Sequence, residues 1–299
     1  MGEMRFDNQV VIVTGAGRGI GRGHALLLAA RGASVVVNDA GGLPDGTGNS
    51  SSPAQDVVAE ITALGGKAIA ITDSVASEAG ASHIVAAAID HFGKIDAVIN
   101  NAGIYLGQAI DAFDIDTFRR HLEVHVLGAA LVLRAAWPHL AITKGRIVNT
   151  MSASIFGMTP YSAYISAKGG VLGLTRALAV EGRPAGIKVN CIAPAAATRM
   201  MFAAMPDLSE DATAHYKRLL PPEAIAPVAA YLAHADCAVS GECLAVGGGR
   251  VTRYIIGETP GITRPELTPE IIRDELSAIM DTQGYQLWPD TESLERATT

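Results

Sequence analysis

The chain has only three cysteines in 299 residues, Cys191, Cys237 and Cys243, and no two of them form a CxxC pair. That count excludes a disulfide framework and a cysteine-built zinc site, and it fits reduced thiols. Cys191 lies in an apolar run and reads as an inert buried thiol. Charged residues are scarce at 18%, and the formal net charge is -7. No basic face is implied, so nucleic acid is not an expected partner. No uninterrupted apolar run is long enough to cross a bilayer, and no membrane partner is expected. Met1 to Asn8 is polar, with no secretory leader, and Phe6 stands where a myristoylation motif requires Ser or Thr. The last three residues are not a peroxisomal tripeptide, so the expected location is the cytoplasm. Internal repeats and a domain linker are also missing.

The sequence is instead rich in small apolar residues, with 49% hydrophobic overall. Short, non-alternating apolar runs occupy 10–14, 34–38, 67–72, 95–99, 146–150, 187–192 and 242–246, as strands buried on both faces should. Helical patterns fill the intervals at 21–31, 54–64, 78–91, 116–139, 161–181 and 222–234. This alternation predicts an α/β fold, a doubly wound parallel sheet covered by helices. Residues 1–249 are expected to form that single domain, and 250–299 a C-terminal extension with a helix near 269–280. Two stretches stand outside the alternation, a Gly/Ser/Pro loop at 41–52 and a Met-rich segment at 198–221.

Thr14-Gly15-Ala16-Gly17-Arg18-Gly19-Ile20-Gly21 follows a strand and opens a helix. Glycines let backbone approach a pyrophosphate, and the helix N-terminus supplies free N–H groups and a favourable dipole. Arg18 could pair with a 2′-phosphate, but beside Asp39 the favoured reading is an arginine that faces solvent or neighbours the pyrophosphate. Asp39 ends the second strand, where a carboxylate accepts ribose hydroxyls and repels a 2′-phosphate, favouring NAD over NADP. Asp73-Ser74 is either part of an adenine site or an ordinary helix cap. Asn100, Ala102 and Gly103 close the fourth strand beside the ribose or simply in a turn.

Tyr164 and Lys168 are four residues apart, on one helix face. A nearby ammonium and an oxidised nicotinamide favour tyrosinate, which can take a proton from a substrate hydroxyl. A serine to hold the substrate oxygen is expected after the fifth strand. Ser152 is the choice, with Ser154 as the alternative. The pair His121 and His125 is not read as a metal site, because the intervening Glu123 is out of the HExxH position and no third ligand cluster is evident. No metal is expected.

With loop, Asn100-Asn101-Ala102-Gly103 and Tyr164/Lys168 in this order, residues 6–249 resemble the short-chain dehydrogenase/reductase family. Residues 35–42, the insert after them, Ala135-Ala136-Trp137 and 192–200 are similar to the (3R)-hydroxyacyl-CoA dehydrogenase domains of the multifunctional-enzyme type 2 branch. The resemblance implies a seven-stranded Rossmann sheet, hydride transfer to NAD, and a homodimer or homotetramer. It assigns Ser152 to the substrate oxygen, Tyr164 to acid/base work and Lys168 to the nicotinamide ribose. It puts Asp73 and Ser74 at adenine, Asn100 at the adenine ribose, and Pro194, Ala195, Ala197 and Thr198 along the nicotinamide.

Three departures follow. His125 stands where most members have an Asn that supports a proton-relay water. The Ser152–Tyr164 interval is one residue short, and Pro194-Ala195 replaces Pro-Gly. The expected activity interconverts a secondary alcohol and a ketone, with 3-hydroxyacyl-CoA as one substrate and a hydroxysteroid or alicyclic alcohol as the rival. A catalytically inactive NAD-binding regulator is the reading from another class. A CoA ester would call on Arg199, Lys217, Arg218, Arg250 or Arg253 at the mouth of the site.

Overall fold

A computed structural model describes residues 2–298, so Thr299, the last residue of the C-terminal tripeptide, lies outside it. The expected strands form as β1 (Val10–Thr14), β2 (Ser34–Asn38), β3 (Lys67–Ile71), β4 (Ala97–Asn100), β5 (Arg146–Thr150), β6 (Lys188–Pro194) and β7 (Cys243–Gly247). All seven pair in parallel, and the sheet order is 3-2-1-4-5-6-7. An eighth strand, β8 (Arg250–Tyr254), extends the edge beyond β7. Gly248 and Gly249, with φ of 56° and 74°, make the two-residue turn between them. Two positive φ values give the turn whose twist suits a hairpin, so a Gly-Gly pair was a legible signal for β8.

Burial explains the runs. Val11, Val13, Val35 and Val37 point into one apolar layer, while Ile12, Val36, Val98 and Ile147 point into the other. Both faces of every central strand are therefore covered, as parallel sheets require. The first layer is closed by α1 (Gly19–Ala30), α2 (Ser52–Ala63) and α9 (Ala226–Ala233). The second is closed by α3 (Glu78–Phe92), α5 (Gly128–Thr143) and the end of α6 (Ser162–Glu181). Ser77 caps α3 by accepting from the Gly80 amide, and Gly93 ends it at φ 78°.

The single helix expected over 116–139 is divided. It comprises α4 (Ile115–Leu122), a π turn at Glu123–Leu127, and α5. Together these 29 residues are long and apolar enough to cross a membrane by length and composition alone. The Met-rich stretch forms α7 (Arg199–Ala203) and α8 (Glu210–Leu219).

The chain divides into two compact units, Met1–Arg253 and Tyr254–Thr299, so the expected boundary after 249 falls in the β7–β8 turn. Within the second unit the helix expected near 269–280 is two short pieces, Pro269–Asp274 and Leu276–Ile279. An antiparallel bridge joins Glu258 to Gln286, and Arg264 pairs with Glu275.

One core residue sets a pH limit. His24 on α1 is 1% exposed and neither ring nitrogen has a hydrogen-bond partner. Burial pushes its pKa down to about 3 from 6.5. Between those values the unfolded chain binds a proton that the native state refuses. The neutral form's advantage is thus complete above pH 6.5 and is lost as pH falls toward 3. At pH 5 this one group removes about 2 kcal/mol of stability relative to pH 8. His24→Met is expected to flatten that part of the profile in urea unfolding. An unchanged slope between pH 8 and 5 would show that His24 does not carry it.

Candidate active site

The strand order reverses at β1, which lies between β2 and β4. A crevice opens at such a switch point beyond the carboxyl ends of the strands. The glycine-rich loop lies there, and close approach fixes its residues. Gly15 has φ 62°, and a Cβ on it would sit 2.8 Å from Ala102 Cα. A Cβ on Gly21 would sit 2.2 Å from the Gly15 carbonyl oxygen. Gly19 has φ 53°, and Arg18, in extended conformation, precedes α1 without a capping side chain. The first turn of α1 thus offers backbone N–H groups to a ligand. Ile20 packs its side chain back against the core layer under α1.

Asp39 follows β2 and holds the loop itself. Its Oδ2 accepts from the Gly17 amide at 2.8 Å and its Oδ1 from the Gly41 amide at 2.7 Å. Each oxygen keeps a second lone pair for a ribose hydroxyl. The narrow cradle, the open helix end and this carboxylate together fit a dinucleotide.

The other expected cofactor residues divide. Ala102 N donates to Thr14 Oγ1 at 3.0 Å, and Gly103 packs so closely on His125 that a Cβ would lie 2.6 Å from the ring. Thr198 lies against Gly19, where an added Cβ would meet its Cγ2 at 3.5 Å, and its hydroxyl caps α7. Ala195 and Ala197 are tied by backbone bonds to Val246 and Leu220, fixing the run after Pro194. Asp73 spends its carboxylate on His83 at 2.7 Å, and the Ser74 hydroxyl accepts from the Ala76 amide. Neither caps a helix, since Ser77 does so for α3.

Asn100 is a sheet residue: its Nδ2 donates to Asn149 Oδ1 at 3.0 Å, and Asn149 donates to Thr175. The neighbouring Asn101, not singled out from the sequence, ties β4 to the loop by donating to the carbonyls of Thr14 and Gly15, both at 3.0 Å. Successive residues at a strand end point to opposite sides, so one Asn of the pair serves the sheet and the other the loop.

At the end of β5, Ser152 lowers the Tyr164 phenol by a side-chain hydrogen bond, while the Ser154 hydroxyl is buried without a partner and its amide donates to Ser152 Oγ at 3.2 Å. Lys168, 4% exposed, donates from Nζ to the Thr150 carbonyl at 2.7 Å and lies 5.5 Å from the Tyr164 ring centre. Tyr105, also missed in the sequence, stacks on Tyr161 at 4.6 Å and meets Tyr164 edge-on at 4.8 Å. The expectation that Lys168 lowers the tyrosine pKa is corrected. Burial raises Tyr164, and the Ser152 hydrogen bond is what lowers it. Lys168 is itself pushed down to about 7 by burial.

The π turn carries His125 inward. Its Nε2 lies 2.9 Å from Ile104 O and 3.2 Å from Ile104 N. Nε2 accepts from the Ile104 amide in one tautomer and donates to the Ile104 carbonyl in the other, while Nδ1 is buried and unpartnered. Asn100 Oδ1 and Thr150 Oγ1 are likewise buried without partners. These three residues and Lys168 line a cavity of about 10 Å³, the size of one water centre. Burial, then the Lys168 charge, holds His125 well below its ordinary pKa. His121 is separately bound to Thr117 O and the Leu106 amide. Among the described residues no three His, Cys, Asp or Glu side chains are grouped to hold a metal.

A family model described as short chain dehydrogenase matches residues 9–207. A Mycobacterium tuberculosis protein, named among short-chain type dehydrogenases/reductases, is 45% identical over 252 residues, covering 84% of this chain and 86% of that one. Mouse peroxisomal multifunctional enzyme type 2 is 43% identical over 284 residues, 93% of this chain but only 37% of that longer protein. The solved structure of a 7α-hydroxysteroid dehydrogenase, complexed with NADH and 7-oxo glycochenodeoxycholic acid, is 31% identical. It superposes with a TM-score of 0.71 over 82% of this chain and 95% of that one. By sequence, fold and relatives alike, this chain belongs to the short-chain dehydrogenase/reductase family and is an oxidoreductase of alcohol and ketone groups.

Proposed function

We propose that the enzyme uses NAD to interconvert a secondary alcohol and its ketone, with a 3-hydroxyacyl-CoA as substrate. The carrying observation is Asp39. Its carboxylate is pinned from two sides at the end of β2, so a 2′-phosphate would meet a negative charge that cannot swing away. The substrate class rests on the resemblance of residues 35–42, 135–137 and 192–200 to (3R)-hydroxyacyl-CoA dehydrogenase domains.

NAD, when bound, supplies the hydride acceptor. Asp39 would receive the adenosine ribose, the amides around Gly17 to Gly21 the diphosphate, and Ala195 to Thr198 the nicotinamide side. Ser152 donates to the substrate oxygen and orients it toward Tyr164. The Tyr164 phenolate takes the hydroxyl proton as the carbinol carbon is oxidised, and returns it in the reverse direction. Because burial opposes phenolate, the Ser152 hydrogen bond and the positive charge of an oxidised nicotinamide ring would have to favour it. A water in the cavity beside Lys168 would complete the bonds of Asn100 Oδ1, Thr150 Oγ1 and His125 Nδ1. Because burial and the Lys168 charge hold it well below its ordinary pKa, His125 would hold such a water by hydrogen bonding and stay neutral.

A panel assay tests this reading. (3R)-hydroxyacyl-CoA esters, hydroxysteroids and cyclic alcohols would be offered with NAD or NADP, and reduced nicotinamide followed by absorbance. Turnover is expected with the acyl-CoA esters and NAD. Turnover confined to steroids or cyclic alcohols would remove the acyl-CoA assignment. A preference for NADP would remove the role given to Asp39.

A further inference from the structure

Strands β2 and β6 are four positions apart in the sheet. At about 4.8 Å per strand this is roughly 19 Å. The segments that follow these strands nonetheless meet. Arg199, the first residue of α7, donates to the carbonyl of Gly42 in the insert after β2 at 2.9 Å. Gly42 belongs to a braced loop. Leu43 N donates to Thr47 O, Tyr105 N to Pro44 O at 2.8 Å, and Arg120 to Asp45 O at 3.1 Å. The bridge therefore has a fixed footing on the β2 side.

Its path crosses the end of β1. Thr198, next to Arg199, lies beside Gly19 of the glycine-rich loop, where an added Cβ would meet its Cγ2 at 3.5 Å. Arg18 and Asp39 both act on the Arg199 charge: burial lowers the guanidinium pKa, Arg18 lowers it further, and Asp39 opposes them. Asp39 already accepts two backbone amides. Two guanidinium groups thus act on each other near one carboxylate that is already engaged, and the helix that follows Arg18 has no capping side chain. That is more positive charge than the protein's own groups balance, and a doubly charged anion would match it. One Arg199 N–H is used on Gly42, and the guanidinium has others to offer.

We propose that Arg199 binds the diphosphate of the dinucleotide, spanning it as a bridge held by the Gly42 carbonyl. This rests on the dinucleotide reading of the glycine-rich loop. It also gives the insert at 41–50 a function, as the abutment on which that bridge is set.

Calorimetric titration of the full chain would compare wild type with Arg199→Met and Arg199→Lys, using ADP-ribose and adenosine. Losing a charge-assisted contact to phosphate is expected to weaken ADP-ribose binding roughly 10- to 100-fold in Arg199→Met. Arg199→Lys should fall between, adenosine binding should not change, and the ligand-free unfolding midpoint should stay in place. Unchanged ADP-ribose affinity in Arg199→Met would overturn the proposal, as would equal losses for adenosine. Coenzyme A carries a diphosphate too, so it would be titrated into the NADH complex. A loss confined to coenzyme A would move Arg199 to the substrate and also overturn the assignment. If wild type bound no ADP-ribose, the dinucleotide reading itself would fall, independently of Arg199.

Discussion

Replacing Tyr164 with Phe is expected to lower kcat by roughly 10²- to 10⁴-fold, the usual worth of a positioned acid/base group. Dinucleotide affinity should be unchanged. The substitution keeps the ring, and with it the edge contacts to Tyr105 at 4.8 Å and His125 at 5.5 Å. What disappears is the hydroxyl that meets Ser152. Burial raises the phenol and the Ser152 hydrogen bond lowers it. Alcohol oxidation needs the deprotonated form, so its rate should rise with pH through that ionisation. Ser152→Ala removes the lowering contact and should carry the rise to higher pH. A Tyr164→Phe enzyme with substantial turnover would mean that another group moves the proton. Intact cofactor binding with no turnover in wild type would instead favour a regulator.

The second large effect lies in the loop. Gly21→Ala puts a Cβ 2.2 Å from the Gly15 carbonyl oxygen and 2.5 Å from Asn101 Nδ2. The first of these is backbone, in the turn that shapes the cofactor cradle, and it cannot rotate away. The loop must shift, breaking the two bonds by which Asn101 holds it. Overpacking of this kind costs about 1–3 kcal/mol of stability. Displacing the cradle should also weaken NAD binding by about 100-fold, a loss of roughly 2.7 kcal/mol. Gly173→Ala on α6 is the control, because its Cβ would meet nothing within 4 Å. There the substitution should raise stability by up to about 1 kcal/mol, since Ala suits a helix interior better than Gly. Calorimetry and thermal unfolding of both variants would check the contrast. Normal NAD binding by Gly21→Ala would show that the loop does not hold the cofactor as described.

Sequence patterning carried the architecture because a strand buried on both faces leaves an uninterrupted apolar run, and seven such runs became seven parallel strands. β8 left a weaker trace. Its residues Arg250-Val251-Thr252-Arg253-Tyr254 sit at an edge and are partly exposed, so only the Gly-Gly turn marked it. The π turn left none, since one added residue within an apolar helix does not disturb the pattern enough to be read.

At the site, residue types were legible but partners were not. Tyr164 and Lys168 are neighbours on one helix, so their spacing placed them. Asn100 finds Asn149, and Asp73 finds His83, through folding that local sequence does not encode. The choice between Ser152 and Ser154 depended on which hydroxyl points toward Tyr164, a matter of loop geometry. Tyr105 was invisible for the same reason, because its stacking on Tyr161 joins segments far apart in the chain.

The central claim is that a dinucleotide bound at the glycine-rich loop would supply the acceptor for hydride from the substrate carbinol carbon. Its most direct test uses the best secondary alcohol from the panel, deuterated at the carbinol carbon, with unlabelled NAD in ordinary water. Mass spectrometry of the reduced nicotinamide should find one deuterium per turnover. Label released to water, with none in the nicotinamide, would contradict the account.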